Sequence, residues 1–227
     1  MIKHAILILL LLSSTAFAKY PYDSVGRSDA GGSAVLIDAK GSKGLVITNA
    51  HVMTTLRSMK VYWPSAKATR VCTPIYVNKD ADFALLVCDM PPVQSVKVGF
   101  PVRKSVIATG FPYYERSHLH WQTGNIVLKS KNEILYNNRP VPGMSGGAAF
   151  DLDGKWVGMI KGHDHTNGVL VSTTGALGYA LIKYRELETW IPNYDHVEDP
   201  RDWEYAKQDG KRRTIRYTER GGLDLID

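Results

Sequence analysis

Ser33-Ala34-Val35-Leu36-Ile37-Asp38, then Ala39-Lys40-Gly41-Ser42-Lys43-Gly44, then Leu45-Val46-Ile47-Thr48: two apolar runs flank a polar turn. Short runs rich in β-branched residues and bounded by Gly, Ser and charge read as strands. Working outward, the pattern repeats. Residues 61–63, 70–77 and 83–88 read as strands. Met90-Pro91-Pro92-Val93 then looks like a linker. Strands resume at 106–109, 120–127, 133–136, 148–151, 155–160, 169–172 and 178–182. Only 183–190 reads as helix, with Tyr184, Leu187 and Trp190 spaced by three and Pro192 just beyond. Many short strands with Gly and Pro between them predict an all-β sandwich or barrel. The break near 90–100 divides them into two barrels, about 32–92 and about 100–182.

The ends have other compositions. Lys3 and His4 precede an unbroken apolar run, residues 5–12, and Ala16-Phe17-Ala18 follows. That is the layout of a secretory signal cleaved after Ala18. The run is too short to serve as a bilayer anchor, which needs about 20 residues. Residues 19–31 read as a loose lead-in. Residues 192–227, charged and poor in aliphatics, read as a peripheral extension without regular structure.

The net charge of +6 raises the question of nucleic acid. The basic residues are scattered, and their one cluster (Lys211, Arg212, Arg213, Arg216) sits among acids. The expectation is a solvated surface and no nucleic-acid partner. Cys72 and Cys88 are an even pair in strand-like segments of a chain expected to be exported, so a disulfide is expected; two buried thiols are the alternative.

Three short motifs carry chemistry. Splitting an amide by nucleophilic attack needs an activated hydroxyl, a base, an acid to orient the base, and donors for the oxyanion. The base candidate is His51, directly off the strand in Val46-Ile47-Thr48-Asn49-Ala50-His51. The acid candidate is Asp82, opening the apolar run Phe83-Ala84-Leu85-Leu86-Val87; Asp80 is its rival. A partly buried carboxylate needs a donor, and the His51 imidazole would serve. The nucleophile candidate is Ser145 in Pro142-Gly143-Met144-Ser145-Gly146-Gly147. Glycines on both sides permit a backbone that aims the amides of Gly143 and Ser145 at one point. Each motif alone also fits a plainer role: a structural histidine, a turn-capping aspartate, a glycine-rich turn. Together, in this order, they point to one site.

Thr48-Asn49-Ala50-His51-Val52, Asp82-Phe83-Ala84-Leu85-Leu86 and Gly143-Met144-Ser145-Gly146-Gly147 resemble the histidine, aspartate and serine motifs of trypsin-like (chymotrypsin-fold) serine peptidases. Gly110-Phe111-Pro112 and Gly178-Tyr179-Ala180-Leu181-Ile182 resemble the bacterial HtrA-like branch. The resemblance covers roughly residues 32–191. It implies two six-stranded antiparallel barrels and a C-terminal helix, a triad of His51, Asp82 and Ser145 in the cleft, no cofactor, and peptide substrates. It also points to Arg139 near the base of the specificity pocket, with Lys161, Gly162 and His163 along one wall. Those basic side chains suggest cleavage after acidic residues.

The chain departs from the family at Met144, where animal digestive peptidases carry an aspartate that pairs with a newly cut N-terminus. No activation of that kind is expected. Residues 192–227 are too few for a PDZ domain, and a monomer is expected. His163-Asp164-His165 is too short a run for a closed metal site. Neither cysteine has a glycine-rich loop or a base beside it, which argues against a cysteine hydrolase. An inactive relative kept as a binding module is the alternative from another class.

Overall fold

The computed structural model describes residues 22–53, 57–101, 104–174 and 178, and the strand backbones Tyr205–Gln208, Lys211–Tyr217 and Leu223–Ile226. The expected signal segment 1–18 and helix 183–190 lie outside these residues.

Two closed antiparallel barrels of six strands each form the body. The first holds β1 (Val25–Ser28), β2 (Ser33–Lys40), β3 (Lys43–Thr48), β4 (Met59–Trp63), β5 (Ala68–Asn78) and β6 (Phe83–Asp89). Its order is β1-β2-β3-β6-β5-β4. The second holds β7 (Ser105–Gly110), β8 (His120–Lys129), β9 (Glu133–Tyr136), β10 (Ala148–Phe150), β11 (Trp156–His163) and β12 (Gly168–Ser172). It closes through β10 against β7.

Side-chain alternation explains why β3 and β6 are apolar throughout. Val46, Ala84, Leu86 and Cys88 point into barrel one, where they meet Leu36, Val61 and Trp63. Their neighbours Leu45, Ile47, Phe83, Leu85 and Val87 point out of it. They pack against Phe150, Trp156 and Met159 of barrel two. Strands buried on both faces read as continuous apolar runs, and here the second face is the other barrel.

Three expectations change. The lead-in is not loose: Val25–Ser28 is the strand that closes barrel one, pairing with both β2 and β4. It is four residues long and contains Gly26 and Arg27, too little for a periodic signal. The glycine is required by close approach, since a Cβ there would lie 2.5 Å from Val61 Cγ1 and 3.1 Å from Trp63 Cε2. Secondly, Gly178, the described residue of the expected last strand, is helical, and barrel two closes without it. Thirdly, the extension carries β13 (Tyr205–Gln208), β14 (Lys211–Tyr217) and β15 (Leu223–Ile226) as an antiparallel sheet.

Candidate active site

His51 sits where β3 ends in a single 3-10 turn, Ala50–Val52. Asp82 sits across from it, at the end of the turn between β5 and β6. That turn is built by Asn78, whose Oδ1 accepts the Ala81 amide at 2.8 Å, while the Asp82 amide donates to Lys79 O at 3.3 Å. Asp82 adopts φ +53°, the left-handed region that Asp tolerates better than most residues. The twist turns its carboxylate onto His51. Oδ2 lies 2.8 Å from His51 Nδ1, and Oδ1 accepts the His51 backbone N–H at 3.0 Å. One carboxylate thus fixes both the ring and its backbone. The aspartate side chain is 13 % exposed and the histidine 51 %, so the imidazole presents its far edge to the cleft. Asp80, the rival, is exposed.

Ser145 lies on the loop that enters β10. The Met144 amide donates to Val141 O (3.1 Å), the Gly147 amide to Met144 O (2.9 Å) and the Gly146 amide to Ile160 O (2.9 Å). Among the described residues, neither the Gly143 nor the Ser145 amide donates to a protein acceptor. Gly143 has φ +99° and Gly146 φ +82°, which a side chain would strain. Met144 is fully buried in the interior of barrel two. An apolar anchor therefore holds the loop where an acidic residue would require a charged partner. The Ser145 hydroxyl donates to Lys161 O at 3.3 Å.

His51, Ser145 and Gly143 line one cavity of about 310 Å³ with Tyr113, Val141 and Lys161. His163 also lines it, whereas Arg139 does not. Arg139 is exposed, with Nη2 3.1 Å from His163 Nδ1. That nitrogen also lies 2.8 Å from Asp164 O. It can accept from the arginine or donate to the carbonyl, not both. Lys161 Nζ pairs with Glu133 Oε1 at 2.7 Å, so its charge is already matched. Asp164, which shapes the loop after His163, titrates below the usual carboxylate range because the Asn167 and Thr166 amides bond its carboxylate.

Cys72 and Cys88 are brought together inside barrel one, but the expected disulfide is not formed and both are free thiols. A hydrogen bond to Cys88, with burial, pushes the Cys72 thiol well above its ordinary value.

The supporting roles of three residues escaped the sequence reading. Ser33, Thr48 and Asn49 are fully buried polar side chains on barrel one. Asn49 Nδ2 donates to Asp82 O at 2.8 Å, and Thr48 Oγ1 to Ser33 O at 2.7 Å. Ser33 reaches the Ser145 loop itself, its amide donating to Ser145 O at 2.7 Å. The one available signal was polar residues at the ends of apolar strands.

Known proteins resemble this chain in sequence pattern and in fold. Residues 32–159, more than half of the chain, match the family model described as a trypsin-like peptidase domain. The fold is similar to that of the HtrA-type protease AlgW with a decapeptide, at 22% identity and TM-score 0.55 over 63% of this chain and 48% of that one. It is similar also to the serine endoprotease from Yersinia pestis, at 19% identity and TM-score 0.62 over 74% of this chain and 64% of that one. The chain thus spans about half to just under two thirds of the solved proteins it resembles. No curated protein matches it in sequence.

Proposed function

Because this chain belongs to the trypsin-like peptidase family, we propose that it is an exported, monomeric serine endopeptidase acting through an acyl-enzyme on Ser145. One observation carries the reading. A histidine locked to a carboxylate at 2.8 Å shares a cavity with a serine whose own amide, and that of Gly143, lack protein acceptors among the described residues. In this reading the carbonyl to be attacked enters the cavity with its oxygen against those two amides. Ser145 then turns its proton from Lys161 O to His51 and attacks. Hydrogen bonds of this kind often tighten only when substrate binds. Asp82 keeps the Nδ1–H tautomer and stabilises the imidazolium. His51 returns the proton to the leaving amine, and water repeats the sequence on the ester. No cofactor enters the scheme. Export rests on the signal-like residues 1–18. Peptide substrates fit the similar proteases that were solved with a decapeptide or a tripeptide.

The test is labelling of the purified chain with a fluorophosphonate, which reacts only with an activated serine. The wild type should label and Ser145→Ala should not. A folded wild type that stays unlabelled would turn the reading towards a binding module.

The same proposal extends to specificity, for an acidic residue before the cut. His163 and Lys161 face the cavity, and Arg139 backs His163. The Glu133 pairing of Lys161 limits the charge on offer, so the preference should be modest. Peptides differing only at that residue would decide, and a preference for Arg or Lys would sink it.

A further inference from the structure

The hole for the oxyanion is on barrel two, yet a residue of barrel one grips it. Ser33 begins β2 and is fully buried. Its hydroxyl accepts the Phe111 amide at 2.9 Å and donates to Gly143 O at 3.2 Å. Its own amide donates to Ser145 O at 2.7 Å. Its carbonyl in turn accepts from Thr48 Oγ1. One serine therefore holds the carbonyls of both residues whose amides face the cavity. A hydroxyl has a single proton to donate, and here the acceptor and donor roles are both in use, which fixes its rotamer.

The consequence for the hole follows from peptide geometry. The Pro142 carbonyl is held by the Tyr113 amide at 2.9 Å. In a planar trans peptide the N–H points opposite to the C=O. The Gly143 N–H must therefore point away from Tyr113. On its other side, Gly143 is held through its carbonyl by Ser33. These two pins flank the torsion at φ +99°. Gly143 also lies in a slot with no spare room: a Cβ would meet Phe111 O at 2.7 Å and the Pro112 carbonyl carbon at 2.8 Å. Ser33 ties the two sides of that slot together, bonding Phe111 on one and Gly143 on the other.

We propose that Ser33 is a positioning residue for the oxyanion hole, fixing the Gly143 amide through a hydrogen bond that crosses between the barrels. The proposal rests on the peptidase reading above. Among the described residues, the Ser33 side chain bonds neither His51 nor Asp82, and its bond to Ser145 is made by the backbone amide, which a side-chain substitution keeps, so loss of the hydroxyl should be felt where the tetrahedral intermediate forms. A residue acting in this way lowers kcat and leaves substrate binding alone.

The experiment compares the full chain with Ser33→Ala, Ser33→Cys and Ser33→Thr. Cysteine keeps nearly the size of serine but bonds weakly, so it guards against a mere cavity effect. In the Ala and Cys variants kcat on a peptide substrate should fall by at least about tenfold, with KM within about twofold. Affinity for a peptidyl boronate, whose tetrahedral adduct fills the hole, should fall by the same factor. The acid limb of the pH–rate profile should stay where it is, and Ser33→Thr should restore much of the loss. Amide hydrogen exchange over residues 141–147 should quicken in Ala and Cys alone. Wild-type kcat in a folded Ser33→Cys, or a loss accompanied by a displaced acid limb, overturns the proposal. If the wild type fails to take the fluorophosphonate, the peptidase reading falls separately. Exchange then decides the latch alone, and unchanged exchange overturns it.

Discussion

Asp82 stands in a backbone conformation that few non-glycine residues take, and Asn49 holds it there. The Asn49 amide group donates to the Asp82 carbonyl at 2.8 Å, while its own Oδ1 is buried and has no protein partner among the described residues. Asn49→Ala removes that bond and leaves the Asp82 carbonyl without its donor, which costs about 1–3 kcal/mol. Stability should fall by that amount, a Tm drop of several degrees. The carboxylate, however, loses the anchor of its main chain. Misplacement of a catalytic group by a fraction of an ångström to 1 Å costs up to about 100-fold, so kcat should fall between about tenfold and a hundredfold. Thermal unfolding and kcat measured on the same preparation check the split; equal loss in both would make Asn49 a structural residue only. The runs around His51, Asp82 and Ser145 stand out in the sequence because each has meaning by itself, and the structure brings His51 onto Asp82 and sets His51 and Ser145 on one cavity. The hydrogen bonds of Asn49 and Ser33 were not legible, because their partners lie 33 and 110 positions away along the chain. No local pattern encodes a hydrogen bond of that reach.

At the level of elements, legibility followed apolar length. The expected strand at 83–88 differs from the observed β6 by one residue, and 133–136 matches β9. These runs announce themselves since burial on one or both faces demands apolar side chains. β1 was missed, although the first barrel cannot close without it. Its work is done by backbone pairing, and its close packing requires a glycine, which carries no periodic signal. β8 marks the opposite limit. It alternates between half-buried and exposed residues, with Trp121 and Leu128 about 60 % exposed (62% and 59%). Its apolar residues were read as a strand correctly, but of them Ile126 packs against the core of barrel two while Trp121, Val127 and Leu128 are exposed. The basic residues of Lys211–Tyr217 disguised β14 in the same way, by composition rather than by conformation. The cysteine expectation failed for a related reason. Opposite positions in neighbouring strands bring two thiols together whether or not they are bonded, and compartment alone does not decide between them.

On the scale of the whole molecule, the barrels are joined by a shared apolar layer and not merely by a linker. Val35, Ile37, Ile47 and Leu85 of barrel one lie in one continuous cluster with Phe150, Trp156 and Met159 of barrel two. Tyr22, before the first strand, sets its ring edge-on to Phe150 at 6.0 Å and 80°. The site straddles this layer. His51 and Asp82 come from one barrel and Ser145 from the other, so in the proposed peptidase the alignment of the three depends on the docking of the two. Phe150 is fully buried within this cluster. Phe150→Ala should cost about 3–5 kcal/mol from lost burial and the cavity left behind. For a chain of this size each kcal/mol lowers Tm by about 2–4 °C, so the melting point should drop by about 10 °C. Because the layer belongs to both barrels, they should unfold in one transition, with activity and circular dichroism lost at the same temperature. Two resolved transitions in the variant, the first taking only activity, would mean that each barrel is stable by itself and that the shared layer serves alignment alone.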